Sequence, residues 1–195
     1  MKHIWLFAAV VPLAATLLCA RSGDAPSSAL QYTKDNQLLR PENYREWIFL
    51  SAGFDMNYSP MASHHHMFTN VFVPPAQYHA FLATGKWPDQ SIFVVEERGA
   101  ESRGSINKQG NYQVESMGMG VEVKDETRFP DKWAYFNFGE EGTSAEANPK
   151  TACWQCHNDH AAVEHTFVQF YPTLKPVAKK FGTYNQSREK VVDAQ

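Results

Sequence analysis

The stretch Ser91-Ile92-Phe93-Val94-Val95-Glu96-Glu97 decides the fold class of this chain. Four consecutive β-branched or aromatic residues between a Trp-Pro-Asp-Gln turn and a polar loop read as a buried β-strand, too short for a buried helix. Similar runs flank it. Ile48 to Phe54 and Phe68 to Val73 are strand-like, the latter closed by Pro74-Pro75. Asn111 to Lys124 reads as a strand pair or one bulged strand containing Gly118 and Gly120, and Trp133 to Phe138 is an aromatic strand. Helical signals are fewer. Ala76 to Thr84 places Tyr78, Phe81 and Leu82 on one side and stops at Gly85. Pro41 suits a short helix's first turn, and the chain after His157 reads as helical to about Tyr171, where Pro172 and Pro176 break it. The expectation is an α+β, mainly β domain: an antiparallel sheet with a few helices.

With 195 residues, 43% hydrophobic and 20% charged, the chain can build one core. Eighteen Lys and Arg against 21 Asp and Glu, with no basic run, argue against a nucleic-acid partner. The N-terminus stands apart. Lys2 and His3 precede an apolar stretch from Ile4 to Leu18 and then small and polar residues, which reads as a secretory signal over residues 1–20. That stretch is short for a bilayer span, so no stable membrane span is expected. Lipoprotein anchoring at Cys19 is disfavoured by the bulky Leu18 before it. Residues 21–40 form an N-terminal extension, 41–182 the domain, and 183–195 a polar tail that frays.

Beyond the signal only Cys153 and Cys156 remain, in Cys153-Trp154-Gln155-Cys156-His157. This is the CxxCH pattern of c-type haem attachment: two thiols about one helical turn apart add to the haem vinyl groups, and the next imidazole becomes the proximal iron ligand. The competing readings are a redox dithiol, which lacks its usual strand-to-helix setting here, and a zinc site completed by His160 and His165. Haem c implies maturation outside the cytoplasm, most simply in a periplasm.

Several stretches occur in an order that carries a resemblance. They are Asn43-Tyr44-Arg45-Glu46-Trp47, Thr84-Gly85-Lys86-Trp87-Pro88-Asp89, Val123-Lys124-Asp125 with Arg128-Phe129, Trp133-Ala134-Tyr135-Phe136, the CxxCH, and Thr166-Phe167-Val168-Gln169-Phe170-Tyr171-Pro172-Thr173-Leu174. Together they resemble the cytochrome P-460 family, which includes the cytochromes c′-beta. The resemblance implies a β-rich, usually dimeric protein with one haem, His157 proximal and an open distal face. It also implies one of two chemistries. The cytochromes P-460 proper oxidise hydroxylamine with a haem cross-linked to a lysine, passing electrons to a soluble redox partner. The c′-beta branch lacks the cross-link and binds nitric oxide or carbon monoxide. The cross-linking position corresponds to Val95, with no lysine in the strand, and neither Lys86 nor Lys124 is a natural replacement.

If Val95 faces the haem, strand alternation puts Phe93 and Glu97 on the same face, so Phe93 and Val95 would form an apolar distal pocket unless they are ordinary sheet core. Phe68 and Phe72 are further aromatic candidates. Met61, Met67, Met117 and Met119 could each supply a sixth ligand, as an electron carrier requires, or serve as packing. His64-His65-His66 reads as a solvated loop cluster with some capacity for a transition metal. Glu97 and Glu146 are the carboxylates considered for acid or base work.

Overall fold

The computed structural model describes residues 30–56 and 65–189. The signal segment, Cys19, Met61, His64 and the last six residues of the tail lie outside them. In chain order the elements are β1 (Leu38–Leu39), β2 (Ile48–Phe54), β3 (Met67–Val73), α1 (Pro75–Thr84), β4 (Ile92–Glu101), β5 (Tyr112–Lys124), β6 (Trp133–Phe138), β7 (Ser144–Ala145), α2 (Trp154–His160) and α3 (Lys175–Phe181).

The strand-forming runs pair with their sequence neighbours in a five-stranded antiparallel sheet, β2-β3-β4-β5-β6, and β1 pairs with β7 in a small second sheet. The fold is mainly β with a few helices, as expected. The stretch read as a strand pair or a bulged strand is one long bulged strand, β5. Its register against β4 slips near Arg98, beside Gly118, whose φ of +141° suits glycine alone.

Both faces of the sheet are apolar. Ile92, Val94, Val121, Val123, Ala134 and Phe136 form a core on one face with Leu30, Leu38 and Tyr44 from the N-terminal segment. Phe93, Val73, Trp133 and Tyr135 form a core on the other with Phe81, Trp87, Val163, Val168, Tyr171 and Leu174. We refer to these as the outer and inner faces. α1 opens on Pro75 at a position that needs no N–H donor and closes on Gly85, whose N–H donates to the Phe81 carbonyl at 2.7 Å. Gly85 has φ +69°, and a Cβ there would lie 2.7 Å from the Phe181 Cβ, so both backbone and packing demand glycine.

One helical expectation is corrected. The helix begun by the CxxCH segment ends at His160 rather than near Tyr171. The Gln169 side chain ends it: its Oε1 accepts from the Ala162 N–H at 3.0 Å and its Nε2 donates to the His160 carbonyl at 2.8 Å, which replaces the next helical turn. Ala161, Ala162 and Val163 are then buried, the last two in the inner core, and the chain reverses through Val163–Thr166.

The described part of the tail is tied down. Glu189 meets Lys175 and Lys179, and its carboxyl is held down to about 2 by Lys175, Tyr184 and Lys179. A carboxyl depressed on folding contributes stability above its ordinary value, here 4.5, and loses it as pH falls through the folded value near 2. The tail contact therefore releases between those pH values, seen as a shift of the Tyr184 ring resonances that Glu189→Gln abolishes. Leu38 is fully buried, so Leu38→Ala should cost about 2–5 kcal/mol in denaturant unfolding.

Candidate functional site

Two elements meet over the inner face to form the site. α2 begins at Cys153, the residue before its first turn, and carries Cys156 and His157, while β3 to β6 supply the opposing wall. Between them lies a cavity of about 330 Å³ lined by Val71, Val95, Glu97, Gly120, Glu122, Tyr135, Cys153, His157 and Phe167, among others.

The register explains this wall. Val71 pairs with Val95, Val95 with Gly120, and Gly120 with Asn137, so Ser51, Val71, Val95, Gly120 and Asn137 form one rung across five strands. Gly120 is the low point of that rung. A Cβ placed on it would have only the Val95 Cβ at 3.8 Å and the Asn137 Oδ1 at 3.9 Å near it, so the absent side chain leaves room above the sheet. On one side lies the rung of Thr69, Glu97 and Gly118, and on the other that of Phe93, Glu122 and Tyr135.

His157 is held from all sides. Its Nδ1 donates to the His165 carbonyl at 2.8 Å, and its ring packs between Tyr135 (centroids 4.4 Å apart) and Phe167 (4.5 Å). With the proton fixed on Nδ1, Nε2 presents its lone pair toward the cavity, 3.6 Å from Glu122 Oε1. Glu122 Oε2 and the Tyr135 hydroxyl are buried without a hydrogen-bond partner. Burial pushes the Glu122 carboxyl up, opposed by His157, and burial raises Glu97 as well. Burial and the nearby His157 push His165 down to about 4, so its ring is neutral at neutral pH.

The stretch from Pro41 to Val168 matches the model of a known family, described as Cytochrome P460, over residues 41–168. The chain belongs to the cytochrome P460 family. No curated protein matches it closely enough to add a relative. Family membership brings a haem cofactor, and the site fits one. A CxxCH thiol pair opens a helix against the cavity, an imidazole with a fixed tautomer faces it, a glycine flattens the opposing wall, and two buried polar atoms await partners.

Of the residues singled out in the sequence, the cavity gathers Cys153, His157, Val95 and Glu97; Cys156 is half-buried on the same helix. Burial pushes the Cys156 thiol up, with Cys153 and Asp159 adding to the effect. Phe93 is corrected. It shares the face of Val95 but is fully buried in the inner core, edge-on to Trp87 at 4.6 Å, and takes no part in the cavity wall. Trp87 and Trp133 cover the Phe93 position of its rung, while Glu122 and Tyr135 on the same rung line the cavity, which is why the alternation held and the exposure did not.

Phe72 faces the outer side against Tyr44 and Phe49, and Phe68 packs on Phe54. Among the methionines considered, Met119 is in the outer core, Met117 is exposed at the bulge, and Met67 does not line the cavity. Glu146 is exposed and outside the cavity. His66 is exposed and pairs with Asp55 Oδ2 at 2.6 Å. His160 is exposed, and His165 stacks between Trp133 and Trp154. Among the described residues, no group of three or more His, Cys, Asp or Glu is gathered to hold a metal ion, so the zinc reading has no ligand set. Lys86 is exposed, and Lys124 is buried with its Nζ on the Trp87 carbonyl at 2.7 Å.

The sequence reading missed Glu122, Tyr135, Asn137 and Met56. Glu122 left a signal: it is an acid between Val121 and Val123 in a strand, opposite in phase to residues of the outer core. Met56 seats its sulfur beside Gly53, on the rung of Glu97. That is four strand residues from the Glu122 rung, roughly 13 Å at the usual rise. Phe93→Ala should lower the unfolding free energy by about 3–5 kcal/mol in chemical denaturation, in keeping with a core residue.

Proposed function

We propose that this chain is an exported, periplasmic cytochrome carrying one haem c bonded to Cys153 and Cys156, with His157 as proximal ligand, and that it binds small neutral gases such as nitric oxide and carbon monoxide. The observation that carries the reading is the cavity wall opposite His157. Val95 stands where the resemblance implies a cross-linking lysine, and among the described residues no lysine lines the cavity. A valine has no amine with which to bond the porphyrin edge.

Haem, when bound, supplies an iron whose open position takes a diatomic molecule. The chain's own residues do the rest. Cys153 and Cys156 fix the group to α2, and the His165 carbonyl orients His157 and raises its basicity. Tyr135 and Phe167 hold the imidazole ring between them, and Val71 and Val95 keep the centre of the wall apolar. Among the described lining residues Met56 is the one methionine, and its sulfur sits beside Gly53, two rungs along the sheet from the Glu122 that meets His157 Nε2, which supports an open sixth position. The partners in this reading are a small-molecule ligand and a second copy of the chain in a homodimer.

A second reading is favoured by Glu97 and Glu122, two carboxyls on the cavity wall that burial raises toward the neutral form. Such groups can hold or accept protons, as oxidation of hydroxylamine with electron delivery to a soluble redox partner requires.

Optical spectra of the purified protein, ferric, ferrous and with carbon monoxide, followed by a pyridine haemochrome, decide between the two. The expected result is an ordinary haem c haemochrome and a high-spin ferrous spectrum that responds to carbon monoxide. A strongly red-shifted ferrous band with an abnormal haemochrome overturns it and brings hydroxylamine oxidation forward. His157→Ala should keep the covalent haem and lose the histidine-ligated spectrum.

A further inference from the structure

The carbonyl that accepts from His157 belongs to a four-residue reversal, Val163-Glu164-His165-Thr166. Val163 and Thr166 bridge each other, the Thr166 N–H donating to the Val163 carbonyl at 2.9 Å. Glu164 sits at φ +50°, a left-handed conformation that a side-chain-bearing residue adopts at a cost and keeps only when its surroundings impose it.

Those surroundings are specific. Lys124 on β5 has a side chain only 9% exposed, and its Nζ reaches Glu164 Oε2 at 3.0 Å and Oε1 at 3.3 Å while donating to the Trp87 carbonyl at 2.7 Å. Glu126 is a more distant second carboxylate at 3.6 Å. Trp87 in turn donates from Nε1 to Thr166 Oγ1 at 2.8 Å, and that hydroxyl donates to the Val163 carbonyl at 2.9 Å. The His165 ring is clamped between Trp133 and Trp154. Glu164, His165 and Thr166 are thus each tied to the sheet or to the Trp87 turn, the His165 ring also rests on Trp154 of α2, and the His165 carbonyl accepts from His157.

We propose that Lys124 and Glu164 are positioning residues for the proximal ligand: their ion pair locks this turn so that the His165 carbonyl keeps its hydrogen bond from His157 Nδ1 and thereby sets how strongly His157 donates to iron. The inference rests on the reading of His157 as the iron ligand. A hydrogen bond at Nδ1 gives the ring imidazolate character, which strengthens its bond to iron and favours the oxidised state. Without the ion pair, the left-handed residue is no longer compelled and the carbonyl moves off the imidazole.

The test uses the haem-loaded full chain and its Glu164→Gln and Glu164→Ala variants, with resonance Raman of the ferrous protein as the deciding readout and circular dichroism to check that each variant is folded. Glutamine keeps an acceptor for Lys124 but removes the charge; alanine removes the contact while keeping the cost of the left-handed backbone. The expected result is a graded fall in the iron–histidine stretching frequency, small for Gln and larger for Ala, with a rise in reduction potential. Wild-type and variant frequencies that superimpose overturn the inference and leave the assignment of His157 standing. An iron–histidine band that survives in His157→Ala overturns both.

Discussion

A sheet that is apolar on both faces must be covered twice, and the rest of this structure follows from how the chain supplies the two covers. Ile92, Val94, Val121 and Val123 face one way while Phe93 and Val95 face the other, and water on either side would cost most of the hydrophobic free energy of the strands. The N-terminal segment through Leu30, Leu38 and Tyr44 closes the outer face. The C-terminal stretch from Cys153 to Tyr184 closes the inner one together with α1. The cavity is the part of the inner face that this second cover spans without filling, because Gly120 offers no side chain and α2 stops after two turns.

The same constraint places the chemistry. A histidine on a short helix is a poor fixed point unless something outside the helix holds its ring. Here the turn after the helix supplies the hydrogen-bond acceptor, and two aromatic rings supply the walls. The turn is in turn pinned to β5 through Lys124 and to the Trp87 loop through Thr166. The strand that lines the cavity with Gly120 and Glu122 therefore also anchors, two residues on, the device that orients His157. Wall and ligand share one rigid element, which keeps their relative geometry from drifting.

The polar content of the wall bears on what the site can admit. The sequence left Phe93 and Val95 as either an apolar pocket or ordinary sheet core, and Phe93 is core. In its place the Glu122 rung brings a buried carboxyl and a phenol to the cavity, and the rung on the far side of Val95 brings Glu97. Apolar residues still form the middle of the wall, with hydrogen-bonding groups to either side. Such a surface tolerates a neutral diatomic at its centre and gives a polar ligand specific partners at its edges.

The sequence by itself determined the strands, the helix at Pro75, the glycine that ends it, and the CxxCH with its histidine. Each of these is a local property: side-chain alternation, a φ that proline or glycine imposes, or a spacing set by one helical turn. It also determined that Val95 and Phe93 share a face, since alternation in an unbroken strand leaves no choice. Which of them meets the cavity was decided only in the tertiary structure, because exposure depends on what another element lays over each position, and here aromatic packing by Trp87 and Trp133 covers Phe93 and leaves Val95 open. The end of α2 at His160 was likewise decided at a distance, by a glutamine side chain from Gln169 that takes the place of the next turn. Glu122, Tyr135 and Met56 joined the site for the same reason: strand register and loop path, not local sequence, bring residues from separate strands to one wall.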